Sequence, residues 1–264
     1  MNRFHPSYHK GLLYALVKRD ISARYRGSWL GLFWSVLNPI LLLVVYYFVF
    51  THVFKARLPQ LYDGRDIAFS GFIFSGLIVY FLFSEVITRA PSVIQDNANY
   101  VKKVVFPIEV LPLVTVLSAA FNFVIAFVVL QGFLLISGEG IKLTSLMFPL
   151  IAVPYLLFLM GIAWFVSALA VYLRDVTYVV GFIATAMMFL SPVFYPPEVV
   201  PAGFRAVMFF NPLTYFIESF RMSVVAGVVP PADFMLIPAV IGIGTCVAGY
   251  AFFQRVRRGF ADIL

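Results

Sequence analysis

The chain has 264 residues, of which 62% are hydrophobic and only 12% are charged. Soluble domains carry about 25% charged residues, so this composition indicates an integral membrane protein. The net charge of +7 does not indicate nucleic-acid binding, because Lys and Arg lie at the ends of apolar runs, where they set topology. The runs are continuously apolar, without the alternation of a β-barrel strand, and therefore predict helices. The single cysteine, Cys246, permits no internal disulfide.

The first predicted element is an amphipathic interfacial helix at 11–28. Leu13, Val17, Ile21 and Tyr25 recur along one side, and Asp20 and Arg24 have the spacing of a helical ion pair. One interpretation is a lipid-anchoring helix that this pair stabilises. The other is a basic collar that meets an anionic lipid headgroup or a partner protein; its four residues are Lys18, Arg19, Arg24 and Arg26.

Charge-free runs of at least 18 residues follow. About 20 helical residues, at about 1.5 Å each, cross a hydrocarbon core of about 30 Å. The sequence therefore predicts an all-α membrane protein, a single transmembrane domain over residues 1–264 with six spans. The predicted spans lie at about 32–53, 67–87, 111–136, 146–171, 176–195 and 235–254. In the first span, the Asn38-Pro39 step is expected to loosen the helix.

The segment at 196–232 contains two shorter apolar runs, Ala206–Ile217 and Met222–Ala232. Runs of this length suit re-entrant or interfacial helices better than spans. We expect two such helices on the external side, because the positive-inside rule favours cytoplasmic termini. With both termini inside, 13 of the 19 basic residues lie on the cytoplasmic side.

The largest internal connection, 89–109, carries a Ser92-x-x-Gln95 capping pattern after Pro91 and before Pro107. This pattern predicts a short cytoplasmic helix at 92–103. Such a helix could be a solvated connector or a docking surface.

The residues needed for catalysis are missing. The sequence has no Gly-x-x-x-x-Gly-Lys phosphate loop, no metal-ligand spacing among His5, His9 and His52, and no recognisable catalytic set. The closest acid to a span is Glu85, at the inner end of span 2, whereas ion-driven carriers place acids or histidines near the bilayer centre. The chain is therefore expected not to be an enzyme and to depend on a partner that hydrolyses ATP. An acyltransferase-like membrane enzyme is disfavoured because it would need a set of His or Asp/Glu residues at an interface, and none is visible in the sequence.

Aromatic residues cluster in the first two spans. They could contact lipid or other helices, or they could line a conduit in which sugar rings slide over aromatic faces. The candidates for channel lining are Tyr46, Tyr47, Phe50, Phe74, Tyr80 and Phe81.

Four stretches, in this order, resemble the membrane subunits of ABC-2-type exporters, most closely the permeases for O-antigen and related surface polysaccharides. They are RDISARYRGSWLGLFWSVLNPILLLVVYYFVF, then NANYVKKVVFPIEVLPLV, then YLRDVTYVVGFI with SPVFYPPEVVP and NPLTYF, and finally RRGFADIL.

The resemblance implies a homodimer in the bacterial inner membrane, with two separate ATPase subunits that hold ATP and Mg and no cofactor in this chain. A lipid-linked polysaccharide would be the cargo; capsule, teichoic acid or a small amphiphile is the alternative. Arg24 and Arg26 would meet the anionic headgroup. The ATPase-coupling residues would be Gln95, Asp96, Asn97, Asn99, Tyr100, Lys102 and Lys103.

Overall fold

The computed structural model describes residues 6–54, 69–101 and 106–263. Within these ranges every regular element is a helix, as the composition predicts. The α-helices are α1 (Pro6–Arg24), α2 (Trp34–Tyr47), α3 (Phe69–Arg89), α4 (Ala98–Val101), α5 (Val110–Ile136), α6 (Phe148–Tyr172), α7 (Val176–Leu190), α8 (Ala202–Phe210), α9 (Pro212–Arg221), α10 (Ala232–Val256) and α11 (Phe260–Ile263).

Short 3₁₀ and π turns extend several of these helices. Together they give, in the described part of the chain, five helical stretches long and apolar enough to cross a membrane: Gly31–Val53, Phe69–Arg89, Val110–Ile136, Leu143–Tyr172 and Ala232–Gly259. The fifth predicted span, 176–195, coincides with α7. This helix has only 15 residues, because the chain becomes extended at Ser191, before Pro192. Helix α7 is about 22 Å long at 1.5 Å per residue, so the count of six spans stays a prediction.

Helix α3 occupies the centre of the molecule. In its most apolar window 78% of the residues are buried, against 11% in the stretch Gly31–Val53. Its neighbours are α2, α5, α6, α7 and α9. The first predicted span therefore lies at the periphery of the chain, and its helix continues through Pro39 without a break.

Helices α6 and α10 approach each other closely because glycines lie at their contact. A Cβ atom on Gly161, Gly242 or Gly249 would collide with backbone atoms of the opposing helix. Small residues at such contacts allow two backbones to come together, as is common between membrane helices. This pair fixes the position of α10, most of which is otherwise exposed.

Two predicted boundaries differ from the structure. The interfacial helix predicted at 11–28 ends at Arg24, and Gly27 then takes a left-handed conformation (φ 84°) that terminates it. The predicted run Ala206–Ile217 is divided into α8 and α9 at Asn211. The Asn211 side chain accepts a hydrogen bond from the backbone N–H of Leu213 at 3.0 Å, and Pro212 begins the new helix.

The helix predicted at 92–103 is much shorter than expected. Residues 90–97 form turns, and only Ala98–Val101 is α-helical. The Asn97 amide donates to the carbonyl of Val93 at 2.9 Å, so a side chain takes a bond that a continuing helix would give to the backbone. Lys102 and Lys103 lie outside the described residues.

Candidate functional site

Four charged side chains join α1 to the Arg89 end of α3. Arg89 Nη2 donates to both carboxylate oxygens of Asp20, at 2.9 and 3.0 Å. Arg24 pairs with Glu85 and, at 3.4 Å, with Asp20, as predicted from their spacing. Arg89 also reaches Glu85 at 3.4 Å. We call Asp20, Arg24, Glu85 and Arg89 the inner ion cluster.

The inner ion cluster lowers the pKa of the Asp20 carboxyl. Burial alone would raise the pKa of its carboxyl, but the charge of Arg89 and its hydrogen bonds outweigh that effect, with a smaller contribution from the charge of Arg24. The pKa is lowered from its ordinary value of 3.8. Asp20 is therefore an anion at neutral pH and holds α1 to α3.

The apolar side of α1 packs on protein. Leu16 is buried against Val110 and Val114, at the start of α5, with Leu12, Leu13 and Val17 around them. The basic residues of the predicted collar are divided. Lys18, Arg19 and Arg26 are exposed, whereas Arg24 is part-buried in the inner ion cluster.

The segment predicted to couple with an ATPase is attached to α1. Arg19 Nη1 donates to the hydroxyl of Tyr100 at 2.7 Å, and the guanidinium lies 5.6 Å from the centre of its ring. The Tyr100 ring also packs on Phe106, with centroids 4.7 Å apart. A change in the position of Tyr100 would thus alter its contacts with Arg19 on α1.

The other predicted coupling residues have different surroundings. Gln95 is exposed, but its amide donates to the carbonyl of Ala170 on α6 at 3.1 Å. Asp96 and Asn97 border a cavity of about 300 Å³ that also touches Arg19 and Arg89. Asn99 is exposed. These polar side chains lie at the Arg89 end of the molecule, next to the inner ion cluster.

The six aromatic candidates for channel lining do not share one environment. Phe74 and Tyr80 are buried in the core at 2% and 4% exposure, and the Tyr80 hydroxyl donates to the carbonyl of Ala184 at 2.9 Å. Tyr46 and Phe50 are half-buried against the core. Tyr47 and Phe81 are the exposed ones, at 41% and 38%. Of the six candidates, only these two present large surfaces outward.

A buried ion pair near the Phe69 end of α3 was not predicted. Glu218 and Arg221, on α9, are 1% and 0% exposed and pair with each other. Arg221 Nη2 also donates to the carbonyls of Pro192 (2.8 Å) and Val193 (3.3 Å), and Nε donates to the carbonyl of Phe72 (3.3 Å). The guanidinium lies 3.5 Å from the centre of the Phe72 ring.

One signal in the sequence could have indicated this pair. Glu218 and Arg221 stand three residues apart inside an otherwise uncharged run, a spacing at which opposite charges meet on a helix. Burial of charges requires such pairing and further hydrogen bonds. The short helix α9 is thus part of the core, whereas a peripheral helix would be packed on one side at most.

Comparison with known proteins identifies the family. Residues 11–225, from α1 through the turn after α9, match the family described as ABC-2 type transporter. The chain belongs to that family. The resemblance found from the four sequence stretches is therefore confirmed.

Several relatives of this ABC-2 chain match it over nearly their whole length. An O-antigen export system permease protein RfbA from Klebsiella pneumoniae is 28% identical over 263 residues, 99% of this chain and 98% of the relative. The protein of the same name from Myxococcus xanthus is 29% identical over 256 residues, 96% and 95% of the two chains. A polysialic acid transport protein KpsM from Escherichia coli is 23% identical over 244 residues, 91% of each.

Family membership and the apolar helices together make this chain a multi-pass membrane protein and the permease type of ABC transporter subunit. The inner ion cluster and the Tyr100 contact lie within the matched residues 11–225. So does the buried pair on α9. The three polar arrangements therefore lie within the part of the chain that matches the ABC-2 family.

Proposed function

We propose that this chain is the membrane subunit of an ATP-driven exporter that moves a lipid-linked polysaccharide of O-antigen type from the cytoplasmic to the external side of the inner membrane. The observation that carries the proposal is its similarity, over 96–99% of its length, to permeases named for O-antigen export. The exposed aromatic residues of the first two spans agree with a sugar polymer as cargo.

The energy would come from two copies of a separate ABC ATPase subunit, which would hold ATP and Mg. The contact we propose is the segment from Gln95 to Lys103, with both termini and the Arg89 end of α3 in the cytoplasm. The Arg19–Tyr100 contact supports this assignment, because a force applied to Tyr100 would pass to α1 and, through Asp20 and Arg89, to the central helix.

We also propose a homodimer of six-span subunits, in which α7 with its flanking turns serves as the fifth span and α8 and α9 are the external short helices. The same surface is used twice in a two-fold dimer, so a conduit could form along its axis. Arg24 and Arg26 remain our candidates for the anionic headgroup. Arg26 is exposed, while Arg24 would contact the headgroup only from within the inner ion cluster.

A capsule-type polymer is the second candidate cargo, and the similarity to the polysialic acid transport protein favours it. Its identity is lower, at 23%, than the 28% and 29% of the O-antigen permeases. Teichoic acid and small amphiphiles have no such support. The O-antigen type is therefore the proposal we prefer.

The test is removal of the chain from its host. Surface polysaccharide should disappear, lipid-linked glycan should accumulate in the inner membrane, and the wild-type chain should restore export. Purification with the neighbouring ATPase and mass spectrometry of the bound lipid-linked glycan would then identify the cargo. Unchanged surface polysaccharide in the deletion strain would contradict the proposal.

A further inference from the structure

A cavity of about 160 Å³ lies between α2, α3 and α5, near the inner ion cluster. Along α3 it extends from Phe74 to Glu85, a distance of about 16 Å at 1.5 Å per residue. Most of its lining residues are apolar, with Ile78, Phe81 and Phe123 among them. Such a pocket, apolar with a few converging polar groups, is the usual form of a small-molecule site.

The polar groups gather at the Glu85 end of the cavity. The hydroxyl of Tyr25 and the amide of Asn122 face the Glu85 carboxylate, joined by bonds of 3.4 Å from Tyr25 to Asn122 and from Asn122 to Glu85. Good hydrogen bonds of this kind measure about 2.5–3.2 Å, so these are weak. Asn38, across the cavity on α2, makes no side-chain hydrogen bond to any residue that the structure describes. Glu85 Oε1 pairs with Arg24 and Arg89, whereas Oε2 accepts the weak bond from Asn122. A ligand could therefore bond to Asn38, Tyr25, Asn122 and Glu85 Oε2.

The mouth of the cavity lies between α2 and α3. Phe81 is 38% exposed on a helix that is otherwise largely buried, and Leu42 opposite it is 37% exposed. Asn38 is exposed one turn before Leu42. Phe81 and Asn38 are thus the exposed aromatic ring and amide of the lining, and Glu85 lines the cavity one turn after Phe81 on α3.

We propose that this cavity binds one sugar ring of the transported glycan. The ring hydroxyls would bond to Asn38, Glu85 and Asn122, and the apolar face of the ring would lie on Phe81. The inference rests on the proposed export of a glycan, and it assigns this cavity, with its own residues, to recognition of the cargo.

The size and the chemistry of the cavity favour a sugar over other parts of the cargo. A cavity of about 150 Å³ holds a six-membered benzene ring, and this one is similar at about 160 Å³. An alkyl chain would offer no hydrogen-bond partner to the Asn38 amide or to Glu85 Oε2, which disfavours its binding. Arg24 and Arg89 do not line this cavity, so a phosphate inside it would meet the Glu85 carboxylate without a cation beside it, whereas sugar hydroxyls donate to that carboxylate.

Photo-crosslinking in living cells tests the proposal directly. Phe81 is replaced by the photoreactive p-benzoylphenylalanine, cells are irradiated during glycan synthesis, and the purified subunit is probed with a glycan stain and by mass spectrometry. We expect a glycan adduct at position 81. The matched control carries the same amino acid at Phe165, which is 44% exposed on α6 and should yield lipid adducts.

A second variant tests the polar contact without altering the inner ion cluster. Asn38→Leu keeps the approximate volume and removes the amide. In the crosslinking chain it should lower the yield of the adduct at position 81 about five- to tenfold. In a chain that keeps Phe81 it should lower export by a similar factor, the loss expected for one unreplaced hydrogen bond. Val44→Leu, at an exposed apolar position of the same helix, should leave both unchanged.

The outcomes separate this inference from the proposed function. A phospholipid adduct alone at position 81, in cells that export normally, overturns the sugar site and leaves the proposed function standing. Normal export with Asn38→Leu also overturns the site. Continued export by cells that lack the chain overturns both.

Discussion

Gly76 of α3 lies directly against Arg221 of α9. A Cβ atom at Gly76 would come within 2.7 Å of Arg221 Nη2 and within 3.0 Å of the carbonyl oxygen of Val193. The absence of a side chain at Gly76 therefore makes room for a fully buried guanidinium. Through this contact the short helix α9 and the turn at Pro192–Val193 are both fixed to the centre of the molecule.

Gly76→Ala is expected to destabilise the protein. The added methyl group would press on backbone atoms of Val193, which cannot move as a flexible side chain would, and overpacking of this kind costs about 1–3 kcal/mol. Thermal unfolding of the purified chain in detergent measures the effect. Gly244→Ala, at a position with nothing within 4 Å, is the matched control. Equal stability of the two variants would contradict the packing argument.

Arg221→Met is expected to be more damaging than the loss of both charges. It removes the cation beside the buried Glu218 carboxylate, and breaking a buried pair in this way costs about 3–5 kcal/mol. The double variant Glu218→Gln with Arg221→Met should recover part of this stability, since no charge then remains in the site. Subunit abundance and unfolding temperature provide the comparison. A double variant less stable than Arg221→Met would show that other contacts of Glu218 dominate.

What could be predicted from the sequence was mostly local. Apolar runs indicated the helices, and the four-residue spacing of Asp20 and Arg24 indicated their pair, because both patterns depend on neighbours along one helix. The contacts that Arg24 and Arg89 make between α1 and α3 join residues more than sixty positions apart. The periodicity of a single helix cannot indicate such contacts. The burial of α9 was missed for the same reason, since its short apolar run is equally typical of a peripheral helix.

Asp20→Asn is expected to loosen α1 from α3. The variant loses the charge that pairs with Arg89 and Arg24, at a cost of about 1 kcal/mol for such part-exposed pairs. Hydrogen–deuterium exchange of α1 in lipid nanodiscs should therefore become faster. Asp175→Asn, an exposed residue whose side chain makes no capping bond, is the control. Unchanged exchange in Asp20→Asn would show that the apolar contacts of Leu16 hold α1 without the ions.

The same contact has a defined pH dependence. The pKa of Asp20 is lowered in the folded chain, so the stabilisation by its ion pairs is fully present above its ordinary value of 3.8 and is lost only as pH falls through the lower folded pKa. Exchange of α1 in the wild-type chain should not accelerate through loss of this pair between pH 8 and pH 5. Acceleration in that range would have to come from another group.

The proposed topology is tested with single cysteines at Ser92 and Ser137, both exposed, in a Cys246→Ser background. These positions follow α3 and α5 and should lie on opposite sides of the membrane. A membrane-impermeant thiol reagent added to intact cells, with access to the periplasm, should label position 137 and not position 92. Labelling at position 92 alone would contradict the proposed orientation. Most of the basic residues would then lie on the external side of the membrane, against the positive-inside rule.

Tyr46 and Tyr47 are expected to differ when each is changed to Ala. Tyr46 is half-buried and stacks on Phe50 at 6.2 Å, so Tyr46→Ala should remove packing and lower subunit abundance. The cost should be about 2 kcal/mol, less than the 3–5 kcal/mol of a fully buried aromatic residue. Tyr47 is 41% exposed and touches Phe133 edge-on at 6.0 Å. If span 1 lines the conduit, Tyr47→Ala should reduce export at normal abundance.

Surface polysaccharide measured beside subunit abundance distinguishes the two effects. Tyr14→Ala, at a 70% exposed position of α1, is the control for removal of an exposed tyrosine and should change neither. If Tyr47→Ala also changes neither, its ring faces lipid, because the bilayer fills the space that it leaves. The conduit must then be sought along other helices, since Tyr46 and Phe50 pack against the core of their own chain.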